Sequence, residues 1–156
     1  NRHSSNRTVR LGALMALVGG GGAGNVAGSN PAGIGTSINY IGNHAYAYSG
    51  GLPATTSPET RLNFTTGALY IVGRITCNGS CASQPSTVGE LTGWEIKFDD
   101  QIIAILKTET ISEDMPVAVY NEIIIPPFTK VTVISQSDGA NADRLTSCMV
   151  TGRVYA

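Results

Sequence analysis

From residue 62 onward, the sequence consists of short β-branched and aromatic runs separated by turn-forming residues. The run 68–77 is the clearest of these, with Gly73 a candidate bulge. Trp94, Ile96 and Phe98 alternate strictly with polar residues. Such alternation is typical of a strand with one buried face. No stretch of ten or more residues in this part spaces its apolar residues three and four apart, so long amphipathic helices are excluded.

Further strands are expected at 101–107, 128–135 and 145–155, and one or two more within 115–125. A hairpin turn is expected at Asp99-Asp100. Roughly six to eight strands at intervals of about 8–12 residues predict an all-β fold, an antiparallel β-sandwich or jelly roll. The residues expected in its core are Trp94, Ile96, Phe98, Ile103, Ile105, Val131, Val133 and Val150.

Composition and charge divide the chain into two parts. Only 13% of residues are charged and 19 of 156 are glycine, which excludes a coiled coil or a helical bundle. Residues 1–58 carry three arginines and no acid (+3), whereas residues 59–156 carry seven bases and eleven acids (−4). We therefore expect an extended Gly-rich N-terminal arm with a β-ribbon at 1–58 and a β-sandwich domain at 59–156. The net charge of −1 gives no reason to expect nucleic-acid binding.

The start of the arm has an apolar run, residues 11–18, behind a basic segment, and in this it resembles a secretory signal peptide. Eight apolar residues are too few to cross a bilayer as a helix, so we expect no membrane partner. We also expect the segment to be retained in the protein. Nine glycines between positions 11 and 35 make this stretch costly to order. It lacks the Gly-Lys-Ser/Thr ending of a phosphate loop. We interpret it as an arm that lies in a groove on another subunit.

Assembly is expected to use the apolar and tyrosine side chains of residues 9–48, while the sandwich projects outward. Glycines permit strand addition to an exposed sheet edge, and tyrosines combine apolar area with a polar tip. If the segment 38–48 is one unbroken strand, its tyrosines share a face, although Gly42 is a candidate bulge. The expected contact residues are Leu11, Leu14, Met15, Leu17, Val18, Tyr40, Tyr46 and Tyr48.

Residues capable of acid–base or metal chemistry are few. Neither histidine, His3 or His44, lies in a recognisable catalytic motif. The acidic pairs at 99–100 and 113–114 fall where turns are predicted, and neighbouring strand residues point to opposite faces. We expect no enzymatic activity, no cofactor and no metal site.

The three cysteines are Cys77, Cys81 and Cys148. Gly79 permits a tight turn that would let Cys77 and Cys81 close a small disulfide loop. Two alternatives remain open: free thiols in a reducing compartment, or Cys77 and Cys148 buried on adjacent strands. With an odd count and no histidine nearby, a four-ligand zinc site is disfavoured.

The Gly-rich arm, followed by a compact β-sandwich with segments such as 121–133 and 145–155, resembles accessory virion proteins of tailed bacteriophages. These families include head decoration (cement) proteins and the head-proximal domains of fibres. The resemblance implies a non-enzymatic homo-oligomer located in the virion, with capsid or fibre subunits as its partners. It contains no diagnostic motif, so no binding residue is transferred from it.

The alternative function is a carbohydrate- or receptor-binding β-sandwich or a surface adhesin. Exposed aromatic side chains on one sheet face would be its signature. The single Trp alternates like a core residue, which counts against this alternative.

Overall fold

The computed structural model describes residues 34–79, 91–109 and 117–156. All regular elements in these ranges are β-strands. The strands are β1 (Asn39–Ile41), β2 (His44–Tyr48), β3 (Leu52–Ala54), β4 (Glu59–Thr65), β5 (Tyr70–Asn78), β6 (Leu91–Phe98), β7 (Gln101–Glu109), β8 (Ala118–Ile125), β9 (Lys130–Ser137) and β10 (Asn141–Tyr155). The predicted contacts at 11–18, together with His3, Cys81 and the acidic pair 113–114, lie outside the described residues.

The strands form two antiparallel sheets, as the alternation predicts. Sheet I has the order β1-β2-β10-β5-β8, and β3 also pairs with the long strand β10. Sheet II has the order β4-β9-β6-β7. The β-sandwich prediction is therefore confirmed. Because β1 to β3 join sheet I through β10, residues 39–54 lie in the same sheet as β5 and β8.

The core lies between the sheets and contains the inward side chains of both. Trp94 is fully buried, and its indole N–H donates to Thr108 Oγ1 at 3.2 Å. The predicted core residues Ile96, Val131, Val133 and Val150 are also buried, and Phe98 packs against them half-buried.

Two of the predicted core residues are exposed instead. Ile105 pairs with Glu95 and shares its outward face, so 69% of it is accessible to solvent. Ile103 lies at the bulge between Ile96 and Lys97 and is 45% exposed. In an apolar run such as 102–106, composition alone does not reveal which alternate residues face inward. The register places Ala104 and Leu106 there.

The segment 38–48 is a hairpin rather than one strand. Gly42 has a φ of +57° and sits in the turn between β1 and β2, a conformation that glycine adopts without strain. Tyr40 pairs with Ala45, which is buried, so it packs against the core. Tyr46 and Tyr48 alternate with buried alanines and face outward.

Gly73 is not a bulge, because its pairing with Gly152 on one side and Ile123 on the other is in regular register. A Cβ at Gly73 would overlap the carbonyl oxygen of Thr151. The glycine pair therefore allows β5 and β10 to approach closely at the centre of sheet I.

Candidate interaction surface

Five of the six tyrosines lie on the outer face of sheet I, and we call this surface the tyrosine face. Each one alternates along its strand with an inward residue, as Tyr70 does with the fully buried Ile71. Because alternate strand residues point to opposite faces, the five share one surface. They are Tyr46 and Tyr48 of β2, Tyr70 of β5, Tyr120 of β8 and Tyr155 of β10.

Strand register brings these tyrosines into rows that cross the sheet. Tyr48 pairs with Met149, Met149 pairs with Thr76, and Thr76 pairs with Tyr120. Directly paired side chains of an antiparallel sheet stand about 4.5–5.5 Å apart at Cβ. One row of apolar and hydroxyl side chains therefore runs from β2 to β8.

The opposite end of the face carries a second aromatic pair, Tyr70 and Tyr155, which are directly paired across β5 and β10. Tyr70, Tyr120 and Tyr155 are 47%, 58% and 49% exposed. Aliphatic side chains fill the positions between them, and the exposed ones include Val72, Ile124 and Met149.

At the β2 side, the rings of Tyr46 and Tyr48 are tilted with their centroids 5.3 Å apart. They border a shallow depression of about 340 Å³, which Ile41, His44 and Thr151 also line. The depression is open to solvent and offers aromatic walls with hydroxyl tips. Such a site suits an amphipathic partner surface or a sugar ring rather than an ion.

Arg74 and Glu122 neutralise one another at the centre of the face, while Arg153, which pairs with Val72 and His44, adds an exposed positive charge. Arg74 donates from Nη2 and Nε to Glu122 Oε1 at 2.7 and 3.0 Å, and this hydrogen bonding raises the pKa of Arg74. The guanidinium also lies 4.0 Å from the centroid of the Tyr120 ring. Low net charge combined with exposed aromatic and aliphatic area is characteristic of protein-binding patches.

The predicted contact residues are only partly brought together. Tyr46 and Tyr48 lie on the tyrosine face, whereas Tyr40 does not, and its hydroxyl accepts a 3.5 Å hydrogen bond from the Gly67 N–H. Tyr70, Tyr120 and Tyr155 also lie on this face, although they are not among the contact residues that the sequence predicts. The period-two alternation of their strands is the signal that would have placed them outward.

Sheet II carries a second exposed apolar region on β7, which pairs with β6 alone among the described strands. Ile102, Ile103 and Ile105 are 51%, 45% and 69% exposed. The neighbouring trough of about 630 Å³ lies over Gly93, which has no side chain to fill it. Leu91, Glu95, Lys107 and Ile134 are among the residues that line it.

Two arginines are buried inside the sandwich, a feature with no signal in the sequence. Arg61 Nε donates to Ser135 Oγ at 2.6 Å, and its Nη2 donates to the carbonyl of Pro53 at 3.1 Å. Burial lowers the pKa of Arg61. Arg144 donates to Thr92 Oγ1 at 3.0 Å. Each arginine therefore forms buried hydrogen bonds with residues on other strands.

Cys77 and Cys148 occupy directly paired positions of β5 and β10, and both are buried. Their sulfur atoms are 3.7 Å apart. This matches the alternative of two cysteines buried on adjacent strands. The Cys77–Cys81 bridge stays a prediction, because Cys81 lies outside the described residues.

The acidic pair Asp99 and Asp100 forms a turn and contacts Lys130. Asp99 and Asp100 have φ values of 47° and 67° and form the β6–β7 hairpin turn, which confirms that prediction. Asp99 Oδ1 accepts from the Lys130 N–H at 2.9 Å, and Asp100 pairs with Lys130 Nζ at 2.9 Å. Across the ranges that the structure describes, no group of three or more His, Cys, Asp or Glu residues is placed to hold a metal ion.

Within the described residues, no helix has the length and apolar character needed to span a membrane.

No protein-family model and no curated protein matches this chain. Among solved structures, it is similar to the dimeric latent PorU of Porphyromonas gingivalis, with 10% identity over 86% of the chain and a TM-score of 0.41. It is also similar to a chain of infectious bursal disease virus, strain Gx (13% identity, 74% of the chain, TM-score 0.40), and strain Gt (13%, 74%, 0.36). The chain spans 14% of the PorU chain and 33% and 34% of the viral chains.

Proposed function

We propose that this chain is a non-enzymatic structural subunit of a virion, a capsid-decoration (cement) or fibre-type component of a tailed phage. It assembles with copies of itself and with neighbouring capsid or fibre subunits. The observation that carries the proposal is the tyrosine face, an outward sheet surface with five tyrosines around the Arg74–Glu122 ion pair. The resemblance of the Gly-rich arm and sandwich to accessory virion proteins supplies the virion context.

The size of the face supports a subunit contact. A standard protein interface covers about 800 Å² on each partner, and a large aromatic side chain contributes about 150–250 Å² when fully buried. Five partly exposed tyrosines, with Val72, Ile124 and Met149 between them, would supply most of that area. Tyrosine and methionine are both enriched in interface cores.

The position of Gly35 supports a second subunit contact through the N-terminal arm. The Gly35 N–H donates to the Arg61 carbonyl at 3.0 Å, and the Asn63 N–H donates to the Gly35 carbonyl at 2.8 Å. This parallel bridge places Gly35 beside Leu62 on the outer edge of β4. Gly35 therefore lies at the edge of sheet II, and the proposed arm precedes it in the sequence.

Light scattering of the full chain tests the proposal. We expect an oligomer that the double variant Tyr70→Ser/Tyr120→Ser weakens at least tenfold in dissociation constant, since both side chains lose exposed apolar area. The control is Phe128→Asn, which removes a 72% exposed ring outside the tyrosine face and keeps a residue that tolerates its positive φ. A chain lacking residues 1–33 should also associate more weakly. Unchanged association in the double variant would contradict this role of the face.

The exposed tyrosines also favour a second candidate, a carbohydrate- or receptor-binding module. An outward sheet surface of aromatic rings with hydroxyl tips suits the alternating apolar and polar surface of a sugar. A glycan array with the full chain, followed by titration monitored by tyrosine fluorescence, tests this candidate. Binding that Tyr46→Ser/Tyr48→Ser abolishes, in a chain that stays monomeric, would favour recognition over assembly.

A further inference from the structure

We propose that Cys77 and Cys148 are a modification site, at which a small-molecule disulfide oxidant introduces a cross-strand bond between β5 and β10. The inference rests on strand register, backbone hydrogen bonding and the approach of the two sulfur atoms. It is independent of the assembly role proposed above.

The backbone around Cys148 shows which kind of cross-strand pair this is. Its N–H donates to Ser49 Oγ at 2.8 Å, and its carbonyl accepts from the Ser49 N–H at 2.9 Å. Both groups therefore point away from β5, so Cys148 and Cys77 form a non-hydrogen-bonded pair. In such pairs the Cα atoms are about 4.5 Å apart and the side chains are closest. That separation lies within the range of about 4.4–6.8 Å that disulfides require.

The sulfur atoms are already close together. They lie 3.7 Å apart, and a disulfide bond is about 2.05 Å long, so they need to approach by about 1.7 Å. Both side chains point into the core and are 0% and 1% exposed. The bond would therefore replace a buried thiol–thiol contact.

The oxidation consists of two thiol–disulfide exchange steps in which glutathione disulfide is the oxidant. One cysteine thiolate attacks a sulfur of the oxidant, forms a mixed disulfide and releases one glutathione thiolate. The second cysteine thiolate then attacks the protein sulfur of that mixed disulfide and releases the second glutathione. The protein loses two protons and two electrons, and the oxidant is reduced to two glutathione molecules.

Burial controls when this bond forms. Exchange requires a thiolate. Burial raises the pKa of Cys148, and its hydrogen bond with Cys77 acts in the same direction. The folded sandwich therefore keeps this thiol protonated and away from the oxidant. We expect the bond to form while the chain refolds, before β10 covers the pair. Oxidation of the folded protein is expected to be slow.

The two candidate bridges exclude each other, because Cys77 has one sulfur atom. A Cys77–Cys148 bond joins residues 71 positions apart, and closing a long loop restrains the unfolded chain strongly. A Cys77–Cys81 bond would close a loop of a few residues and restrain it much less. The rise in melting temperature on oxidation therefore distinguishes the two disulfides.

The experiment uses the full chain and its Cys81→Ser variant, each unfolded and refolded in a buffer of reduced and oxidised glutathione. We expect Cys81→Ser to lose about 2 Da, to retain no titratable thiol, and to melt about 10 °C or more above its reduced form. Peptide mapping of the full chain should recover Cys77 linked to Cys148. The Cys81→Ser/Cys148→Ala double variant is the control and should keep one free thiol.

Three results would overturn the proposal. The first is two remaining thiols in refolded Cys81→Ser, and the second is a glutathione adduct in place of an internal bond. The third is a full chain whose peptide map links Cys77 to Cys81. Reduced Cys81→Ser serves as the folding check, since it keeps every described side chain and should melt like the reduced full chain.

Discussion

Arg61 is a charged side chain with 1% exposure whose hydrogen bonds hold two other elements. It joins β4 to Ser135 of β9 and to the carbonyl of Pro53 in β3. Removing a buried donor leaves its acceptors without water or partner, at a cost of about 1–3 kcal/mol each. The interior therefore depends on this arginine for polar satisfaction as well as for packing.

We predict that Arg61→Ala lowers the free energy of unfolding by about 2–4 kcal/mol, through the two lost hydrogen bonds and the space left behind. Arg61→Met, which restores most of the volume without a charge, should lose about half as much. Urea denaturation measures both. Arg74→Ala is the control, because Arg74 is an exposed arginine with a single ion pair, and its effect should be small. Equal losses for Arg61→Ala and Arg74→Ala would contradict the structural role of Arg61.

Cys148 makes stability depend on pH in the alkaline range. Burial raises its pKa well above the ordinary value of 9.0, and Cys77 and Arg61 are the charged or titratable groups that act on it. Above pH 9.0 the unfolded chain loses this proton while the folded chain keeps it. Stability is therefore retained below pH 9.0 and falls as pH rises, by up to about 1.4 kcal/mol per pH unit.

The measurement is urea denaturation in a reducing buffer between about pH 8 and about pH 10, for the full chain and for Cys148→Ala. The variant lacks the titrating thiol, so its free energy of unfolding should fall less steeply over this range. Parallel pH profiles would show that Cys148 titrates alike in the folded and unfolded chains.

At the scale of elements, sheet I depends on the close approach of β5 and β10 at Gly73 and Gly152. A methyl group at Gly73 would overlap the backbone of β10 rather than a movable side chain. We predict that Gly73→Ala lowers the free energy of unfolding by about 1–3 kcal/mol. Gly139→Ala is the matched control, since a Cβ there meets nothing within 4 Å. The prediction fails if thermal denaturation shows equal stability for the two variants.

The strands also show how far sequence patterns determine this fold. Strict alternation identified β6 and the burial of Trp94, and the acidic pair identified the hairpin that follows it. The apolar run in β7 was misassigned at Ile103 and Ile105, because which residues face inward depends on a bulge in the pairing with β6. A bulge arises from pairing between strands, and no local pattern marks it.

The tyrosine face likewise depends on pairing between strands. Tyr70, Tyr120 and Tyr155 are 35 to 85 positions apart in the sequence, and three different strands carry them. Their common face exists only once β5, β8 and β10 are paired in register. Tyr46 and Tyr48 were found because they alternate within one strand. Local alternation predicts the direction of each side chain, and strand order decides which of them become neighbours.

The whole molecule joins a positive, Gly-rich segment to a negative sandwich with two exposed apolar regions. The charge of residues 1–58 is +3 and that of residues 59–156 is −4. On the tyrosine face, in contrast, Arg74 and Glu122 form an ion pair within the face. Two contacts of different physical character are therefore expected to hold copies together, one electrostatic through the arm and one apolar through sheet I.

The dependence of association on salt concentration distinguishes these two contacts. The Debye length falls from about 10 Å at 0.1 M ionic strength to about 3 Å at 1 M, so attraction between the arm and a neighbouring sandwich weakens as salt is added. Burial of tyrosine and aliphatic area does not depend on this screening. We predict that the dissociation constant of the full chain rises roughly tenfold between these salt concentrations. A chain lacking residues 1–33 should have a higher dissociation constant at every salt concentration. That constant should change less than about twofold over the series. Light scattering across a concentration series measures both constants. Equal salt dependence in the two chains would place the electrostatic contact on the sandwich, where Arg153 and the acids of sheet II would be the next residues to substitute.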